Sequence, residues 1–541
     1  MKNIILLIAT LPLLFSCFKG QNVDLIIHNA VIYSINQDNQ VFEAIAIKDG
    51  KVVELGAERQ ILNKYRADKT IDAQGKEVYP GLVDGHGHIL SLAEQMLSVE
   101  LFGCTSMDDL LVRTEKHQTK NNREYIVGRG WDQSLWGGDV LPTNEELTKL
   151  FPNTPVALYR VDGHALLAND KALELAGVTA ESKYPGGIVH VANGKCTGLL
   201  VDNAMDVVNE TVPRFSNEEI VETMLQIQDE LLQYGITSVH EAGVNNKDLE
   251  YFKLLSQKDE LKIDIYLMLM DSKENRELVT KNGHMTWGKV RIRSFKMYGD
   301  GALGSRGALL KDAYSDEHNH FGVLITPPDE MKSLAQFCLS NNYQLNTHAI
   351  GDSTNALLLS LYEIAKKETP DHRWRIEHAQ IVDPSDFSKF AELGVLPSVQ
   401  PTHAVSDQRW AEKRIGKERM KGAYAYNTLL QQSGMLVLGT DFPVERINPF
   451  LTIHAAVQRK NIDNFPSNGF LPKEAISLEN CMRGMTLWPA IGSFAENTNG
   501  SLEPGKNADL TILEKPIRAN PNFVENYAFM TIIDGMIVFG E

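Results

Sequence analysis

The chain has 541 residues, 43% of them hydrophobic, and a formal net charge of −17. This composition supplies a large core and excludes a chain that is disordered throughout. The acidic balance argues against nucleic acid or an anionic membrane surface as a partner, because phosphate contacts need clustered Lys and Arg.

The N-terminus has the pattern of an export signal. A short basic start precedes an apolar run from Ile4 to Phe15, which is too short for the roughly 20 residues that span a bilayer. The run ends at Cys17 in the sequence LFSC, which resembles the lipobox of bacterial lipoproteins. We therefore predict a signal and short tether over residues 1–22, cleavage before Cys17, and a lipid anchor on Cys17 at the periplasmic or cell-surface side of a bacterial membrane. The alternative is an ordinary secretory signal with an incidental cysteine.

Short strand patterns occur at both ends of the chain. They are β-branched or alternating, and Asp49-Gly50 has the composition of a hairpin turn. Because chain termini often lie close together, we predict one small β-sandwich domain built from residues 23–80 and 497–541. The segments are 24–27, 44–47, 51–55, 508–513, 530–533 and 536–539.

Between the two ends, apolar strand patterns alternate with amphipathic helix patterns such as 329–340 and 354–367. This alternation predicts an α/β fold with a parallel sheet, and eight repeats favour a closed (β/α)8 TIM-like barrel over residues 81–496. An open, doubly wound sheet is the alternative. The interval of about 90–234 is too long for one crossover, so we predict a large insertion there, after the first barrel strand. The strands are predicted over 78–84, 236–241, 262–270, 289–298, 344–349, 373–379, 395–400 and 435–441.

Polar residues stand at the ends of these strands. In the sequence PGLVDGHGH, His86 and His88 are two positions apart, so they project to the same side of a strand and can share one metal ion. Further polar residues end later strands, at the barrel face where catalytic residues are found. Scattered core histidines would not fall repeatedly at the same end of successive strands. The later residues are Lys296, His348, His378 and Asp441.

With these residues the chain resembles the amidohydrolase superfamily, and within it amidohydrolase family 3, the branch of N-substituted formamide deformylase-like proteins. The resemblance covers nearly everything after Val23. It is carried by the motifs PGLVDGHGH, FKMYGDGALGSR, THAIGD, RIEHAQ, GTDFPV and SLEPGKNADLTIL, and by GWD and VDGH in the insertion. It implies a metal-dependent hydrolase on a barrel fold.

The resemblance also implies how the metal is held. His86 and His88 would bind one divalent ion, and His348 and His378 a second. Lys296 would bridge the two ions as a carbamate formed with CO₂, because an ammonium group cannot ligate a cation. Zinc suits these ligands, and iron, manganese and cobalt are alternatives.

Two alternatives concern Lys296 and Asp441. Lys296 would otherwise be a plain cation that pairs with Asp300 or binds substrate beside a single metal ion. Asp441, which the resemblance makes both a metal ligand and the catalytic proton shuttle, would otherwise be a helix N-cap. As the shuttle it would take a proton from metal-bound water and deliver it to a departing nitrogen.

Four residues are weaker candidates for substrate binding. Arg306 could clamp a carboxylate, with a structural ion pair as the alternative. Trp131 and His164 could line the pocket from the insertion. His403 could face substrate at the end of the seventh strand, and a core position is the alternative there.

For four other polar residues, we mainly expect structural or surface positions. His240, at the end of the second strand, could face substrate or be a core histidine. Asp84 is expected to orient an imidazole ring from behind. His318 and His320 form a second HxH pair, but in a polar loop, and we expect them at the surface.

The predicted function is hydrolysis of a carbon–nitrogen bond other than a peptide bond, in a small-molecule amide, N-acyl or N-formyl compound, by attack of metal-bound hydroxide. Deamination of a cyclic nitrogen base, by the same superfamily, is one alternative. A surface binding lipoprotein without catalysis is another. The substrate and the oligomeric state, including a homo-oligomer, stay open.

Overall fold

The computed structural model describes residues 20–136, 141–161, 163–518 and 523–540. Cys17 and the predicted export signal lie outside these residues, so lipidation and export stay predictions. Within the described ranges, no helix has both the length and the apolar character needed to cross a membrane.

The eight predicted barrel strands are confirmed as one parallel series that runs in chain order around a nearly closed barrel. A short antiparallel strand, Met285–Trp287, is added beside the fourth. The barrel strands are β1 (Leu82–Gly87), β2 (Ile236–Val244), β3 (Asp264–Met270), β4 (Val290–Tyr298), β5 (Gln344–Ala349), β6 (Arg375–His378), β7 (Leu396–Val399) and β8 (Val437–Leu438).

The barrel closes where its last strand meets its first. One Asp84 oxygen accepts hydrogen bonds from the Thr440 and His86 backbone N–H groups, at 3.0 and 3.1 Å. The other accepts from the Thr440 hydroxyl at 2.6 Å, and Asp441 N donates to the His86 carbonyl at 2.7 Å. Asp84 was expected to orient an imidazole ring, and that expectation is wrong: its carboxylate joins β8 to β1 through the backbone.

A glycine makes this seam possible. A Cβ atom on Gly85 would lie 2.4 Å from Val437 Cγ1 and 2.6 Å from the Leu438 carbonyl oxygen. Only glycine lets the two strands approach this closely. The glycine between Asp84 and His86 in the DGH motif is therefore needed for barrel closure.

Helices surround the barrel, and α2 illustrates why they form. Ser216 and Glu219 make a capping box at its start, and buried Ile220, Met224 and Ile227 repeat at helical spacing along its inner face. The barrel helices are α1 (Ile89–Met96), α2 (Asn217–Gln233), α3 (Leu249–Leu255), α4 (Lys273–Asn282), α5 (Pro328–Asn341), α6 (Asp352–Glu368), α7 (Phe387–Leu393), α8 (Pro401–Asp407), α9 (Ala411–Arg419), α10 (Tyr426–Ser433), α11 (Pro449–Gln458), α12 (Leu478–Gly484) and α13 (Leu487–Gly492).

Strands from both ends of the chain share one sheet, because Leu510–Leu513 pairs antiparallel with Glu77–Pro80. A second sheet faces it across an apolar core that includes Ile27 and Ile45 from one sheet and Ile512 from the other. One sheet contains, in order, Lys51–Gly56, Ala44–Lys48, Gln21–His28 and Tyr65–Asp72; the other contains Met536–Phe539, Ala528–Ile533, Leu510–Leu513, Glu77–Pro80, Val31–Tyr33 and Val41–Phe42. Helix Glu58–Lys64 packs beside the first.

The segment between α1 and α2 forms its own six-stranded sheet. The strand Ile126–Trp131 carries an irregularity after Arg129, where the register against its neighbour shifts and Gly130 has φ +115°. The order of strands is Gly187–Ala192, Lys195–Asp202, Ala165–Ala168, Val156–Arg160, Ile126–Trp131 and Val99–Glu100, and the α-helices are Met107–Asn121, Glu145–Leu150, Asp170–Leu175 and Asp206–Asn209.

The seam gives a prediction about stability. Asp84→Asn places an amide nitrogen against groups that are themselves donors, so we expect a loss of about 2–4 kcal/mol and a thermal unfolding midpoint several degrees lower. Asp68→Asn, at an exposed position of the small sheet, is the control. Equal midpoints for the two variants would show that the carboxylate does not hold the barrel closed.

Candidate metal centre

The six residues predicted to hold metal lie at the carboxyl ends of the barrel strands or just beyond them. They come from five different strands, so the barrel itself brings them together. They are His86 at the end of β1, His88 at the start of α1, Lys296 in β4, His348 in β5, His378 at the end of β6 and Asp441 after β8.

One group of ligand atoms surrounds His86, whose side chain is fully buried. His88 Nε2 lies 3.0 Å from Asp441 Oδ1, and His86 Nε2 lies 3.6 Å from the same oxygen. Lys296 Nζ is 3.1 Å from His86 Nε2. One potential ligand atom from each of His86, His88 and Asp441 lies within 4.8 Å of the others, a spacing that a single metal ion can bridge.

A second group shares Asp441 with the first. His378, His403 and Asp441 also offer three atoms within 4.8 Å of one another, and His403 Nε2 lies 3.6 Å from Asp441 Oδ2. The rings of His348 and His378 are 4.5 Å apart between centroids. His403, predicted as a substrate contact, thus joins the metal-ligand cluster.

Two of these imidazoles have nitrogen atoms that require a partner. His348 Nε2 and His403 Nε2 are buried and accept or donate no hydrogen bond within the described part of the chain. A buried polar atom without a partner is costly. His403 Nε2 borders the ligand cluster, where a divalent cation would satisfy it, whereas His348 Nε2 lies 3.6 Å from Asp300 Oδ1.

Burial sets the protonation of the site. It lowers the pKa of His86 to about 4 and that of His348 to about 3, so both rings are neutral at pH 7 and can donate a lone pair to a metal. Burial also lowers the pKa of Lys296 to about 8. At pH 7 about a tenth of that side chain is therefore an unprotonated amine, and the rest is protonated.

The Asp441 carboxylate is ionised. Burial raises its pKa, but the hydrogen bond from His88 and the surrounding imidazoles outweigh burial and hold that pKa well below its ordinary value. Its backbone has φ +62°, and that of His378 has φ +72°. Such left-handed backbone is rare outside glycine and is often found at functional sites.

Glu377 and Arg375 hold His86 from behind, and the motif analysis did not single them out. Glu377 Oε2 lies 2.6 Å from His86 Nδ1, and Glu377 Oε1 lies 2.7 Å from Arg375 Nε. Arg375 also donates to the Gly85 carbonyl and the Ser398 hydroxyl, at 2.7 and 2.8 Å. A carboxylate on the far nitrogen fixes the ring and leaves Nε2 directed at the metal.

The His378 ring is also held by a side-chain contact, and the backbone that carries His88 is held by a buried carboxylate. Gln400 Oε1 lies 2.7 Å from His378 Nδ1, which leaves Nε2 for a metal. Glu241, at the end of β2, accepts hydrogen bonds from the N–H groups of Ile89 and Leu90 at 2.6 and 3.3 Å. It thereby anchors the first turn of α1, which carries His88.

A family model described as "Amidohydrolase family" matches residues 69–539. The chain belongs to the amidohydrolase family. It is 32% identical over 515 residues to Protein LONG AFTER FAR-RED 3 of Arabidopsis thaliana, a match that covers 91% of this chain and 88% of the relative. It is 24% identical over 540 residues to N-substituted formamide deformylase of Arthrobacter pascens, covering 95% and 98% of the two chains.

The solved structures include a close match in fold. An uncharacterized metal-dependent hydrolase from Pyrococcus horikoshii OT3 superposes with a TM-score of 0.78 at 28% identity, covering 93% of this chain and 98% of that one. Family and neighbours together support a metal-dependent hydrolase.

The alternative pairing of Lys296 with Asp300 is wrong for this amidohydrolase. Asp300 accepts backbone hydrogen bonds from Leu309, Ile350 and Gly351, at 2.8 to 3.0 Å. Its carboxylate joins the loops after β4 and β5, and Lys296 has no carboxylate partner within 4.0 Å in the described ranges.

Two residues predicted to contact substrate have other partners in the structure. Trp131 is fully buried in the core of the insertion, where its indole donates to the Leu158 carbonyl at 2.7 Å. Arg306 makes a two-pronged ion pair with Asp316, 3.1 Å at each contact. Its planar fork is already occupied, so the structural alternative holds.

His164, His240 and His320 have local partners. His164 Nδ1 lies 2.9 Å from Asp202 Oδ1 at an exposed position of the insertion, and its contact with substrate stays a prediction. His240 is a core histidine that pairs with Arg375 at 2.9 Å. His318 is exposed as expected, and His320 is half-buried, 2.8 Å from the Arg306 carbonyl.

Glu377→Gln tests how His86 is held. The amide cannot hold the imidazole N–H as a carboxylate does, so we expect metal affinity to fall by about 10- to 100-fold. Competition with a chelator measures the affinity, and far-UV circular dichroism checks that the fold is kept. Glu368→Gln, exposed in α6, should bind metal like the wild type; an equal affinity in Glu377→Gln would contradict the orienting role.

Proposed function

We propose that the chain hydrolyses a carbon–nitrogen bond other than a peptide bond, in an N-formyl or N-acyl amide. The observation that carries this proposal is the buried Lys296 amine, 3.1 Å from His86 Nε2 inside the cluster of ligands. The match with N-substituted formamide deformylase, over 98% of that enzyme, supports the same bond type.

Carboxylation would explain why a lysine, Lys296, lies among the metal ligands. Its neutral amine attacks the carbon of CO₂, a nitrogen–carbon bond forms, and one proton is released to give an anionic carbamate. The carbamate would offer two oxygen donors in place of the amine, beside the group containing His86 and His88 and the group containing His348 and His378. Asp441 and His403 offer ligand atoms in the same cluster and would help to hold a divalent ion there.

These residues would hold a divalent metal, which we propose to be zinc, and such an ion would lower the pKa of a water molecule to about 7 and polarise the substrate carbonyl. Asp441 is the group that moves the proton. Its ionised carboxylate accepts a proton from the attacking water and delivers it to the nitrogen of the breaking bond. The backbone bond from Asp441 to His86 keeps this carboxylate at the centre throughout.

The alternatives are less well supported by the site. Deaminases of cyclic bases in this superfamily generally use one metal and an acid of the fifth strand, and lack the bridging lysine. Here β5 (Gln344–Ala349) contains His348 and no acid, and Lys296 would have no function in such a site. A surface binding protein would not need the complete set of ligands.

We also propose that the enzyme is exported and held at a membrane by a lipid on Cys17. The LFSC sequence supports this placement. The amides it meets would then lie outside the cytoplasm.

Asp441→Asn tests the catalytic step. The amide cannot accept the proton, so we expect kcat on an N-formyl amine to fall by about 100-fold or more. Asp463→Asn, exposed in the loop after α11, should leave kcat unchanged. A loss of less than about tenfold would contradict the role of Asp441.

A further inference from the structure

A cleft of about 660 Å³ lies between the barrel and the insertion. One wall is the face of α1 that carries Ser91 and Glu94, and Pro443 completes it. Ser91 is three residues beyond His88, about 4.5 Å along the helix axis, and Pro443 is two residues beyond Asp441. The cleft is therefore lined by residues that lie three and two positions beyond the metal ligands His88 and Asp441.

The opposite wall carries Arg129. Alternate residues of the strand Ile126–Trp131 share a face, which places Val127 and Arg129 along the cleft. The bulge at Gly130 then interrupts the alternation and turns Trp131 into the core. Arg129, rather than Trp131, is thus the residue that the insertion presents here.

The Arg129 guanidinium is free to bind a ligand. Across the described ranges, no carboxylate lies within 4.0 Å of it and its side chain makes no hydrogen bond, whereas Arg214, the other arginine of the cleft, pairs with Asp248. Glu94 is the acidic residue of the lining, on the opposite wall.

Part of the remaining lining suits an apolar group, and Gln95, Ser98 and Asn209 add polar groups to it. Tyr159, Phe215 and Tyr251 provide aromatic surface, and Met205 and Val212 provide aliphatic surface. The volume lies within the range of roughly 300–1,000 Å³ that is usual for small-molecule sites.

We propose that this cleft holds the part of the substrate remote from the scissile bond, and that Arg129 selects substrates that carry a carboxylate beside an apolar or aromatic group. The inference rests on the proposed function and names its substrate class. A guanidinium binds a carboxylate through two parallel hydrogen bonds. Because Arg129 is solvent-exposed, salt weakens the contact.

Two matched amides test the proposal. N-formylphenylalanine and N-formylphenethylamine differ only in the carboxylate, and kcat/KM for each is measured with the metal-loaded full chain. We expect the wild type to prefer the first by about tenfold or more. Arg129→Gln should reduce this preference to about twofold or less. Arg59→Gln is the control. Arg59 is exposed on the helix Glu58–Lys64 beside the small sheets, and its variant should retain the wild-type preference.

Glu94→Gln is expected to change the substrate preference in the opposite direction. It removes the negative charge from the cleft, so the preference for the carboxylate should rise. An unchanged preference in Arg129→Gln, or a preference lost in Glu94→Gln, would overturn the assignment.

Calorimetric binding of the same two compounds separates the failure of this inference from that of the proposed function. If neither amide is hydrolysed but the carboxylate is bound more tightly in an Arg129-dependent manner, the cleft is supported and the proposed reaction is contradicted. If both are hydrolysed without dependence on Arg129, or if neither compound binds, the cleft assignment is wrong.

Discussion

The metal centre exists only because β8 meets β1. Asp84 and Thr440, 356 positions apart in the chain, are joined by two hydrogen bonds to one carboxylate, and Gly85 lets the two strands come close enough for this contact. The same seam carries the backbone bond from Asp441 to His86. Without closure, the residue proposed to move the proton would not reach the histidines of the first strand. The stability of the barrel and the geometry of the site therefore depend on one contact.

Burial gives the site its chemistry. Removal from water keeps the His86 and His348 rings neutral, so that their lone pairs are available to a cation, and it lowers the pKa of Lys296. Behind His86, the Glu377 carboxylate pairs with the ring, and the Arg375 guanidinium balances the charge of that carboxylate. The protein thus supplies neutral ligands in fixed orientations, which is the arrangement that a metal ion stabilises.

Much of this arrangement could be predicted from sequence because it follows strict periodicity. The eight strands and the polar residues at their ends emerged from alternation and apolar runs. What failed depended on departures from that regularity: the bulge at Gly130 sends Trp131 inward, and Arg306 finds Asp316 through a loop whose path no pattern specifies. Glu377 was missed although a signal existed, since Arg375 and Glu377 are charged residues two apart in a buried strand and must share a face.

The central claim is that these side chains hold divalent metal with the help of Lys296, and metal content tests it most directly. Plasma mass spectrometry of the full-length protein, dialysed after equilibration with zinc, manganese or cobalt, should give about one to two ions per chain in the wild type and a clear loss in Lys296→Ala. Fewer than about 0.1 ions per wild-type chain, or an unchanged content in Lys296→Ala, would contradict the account.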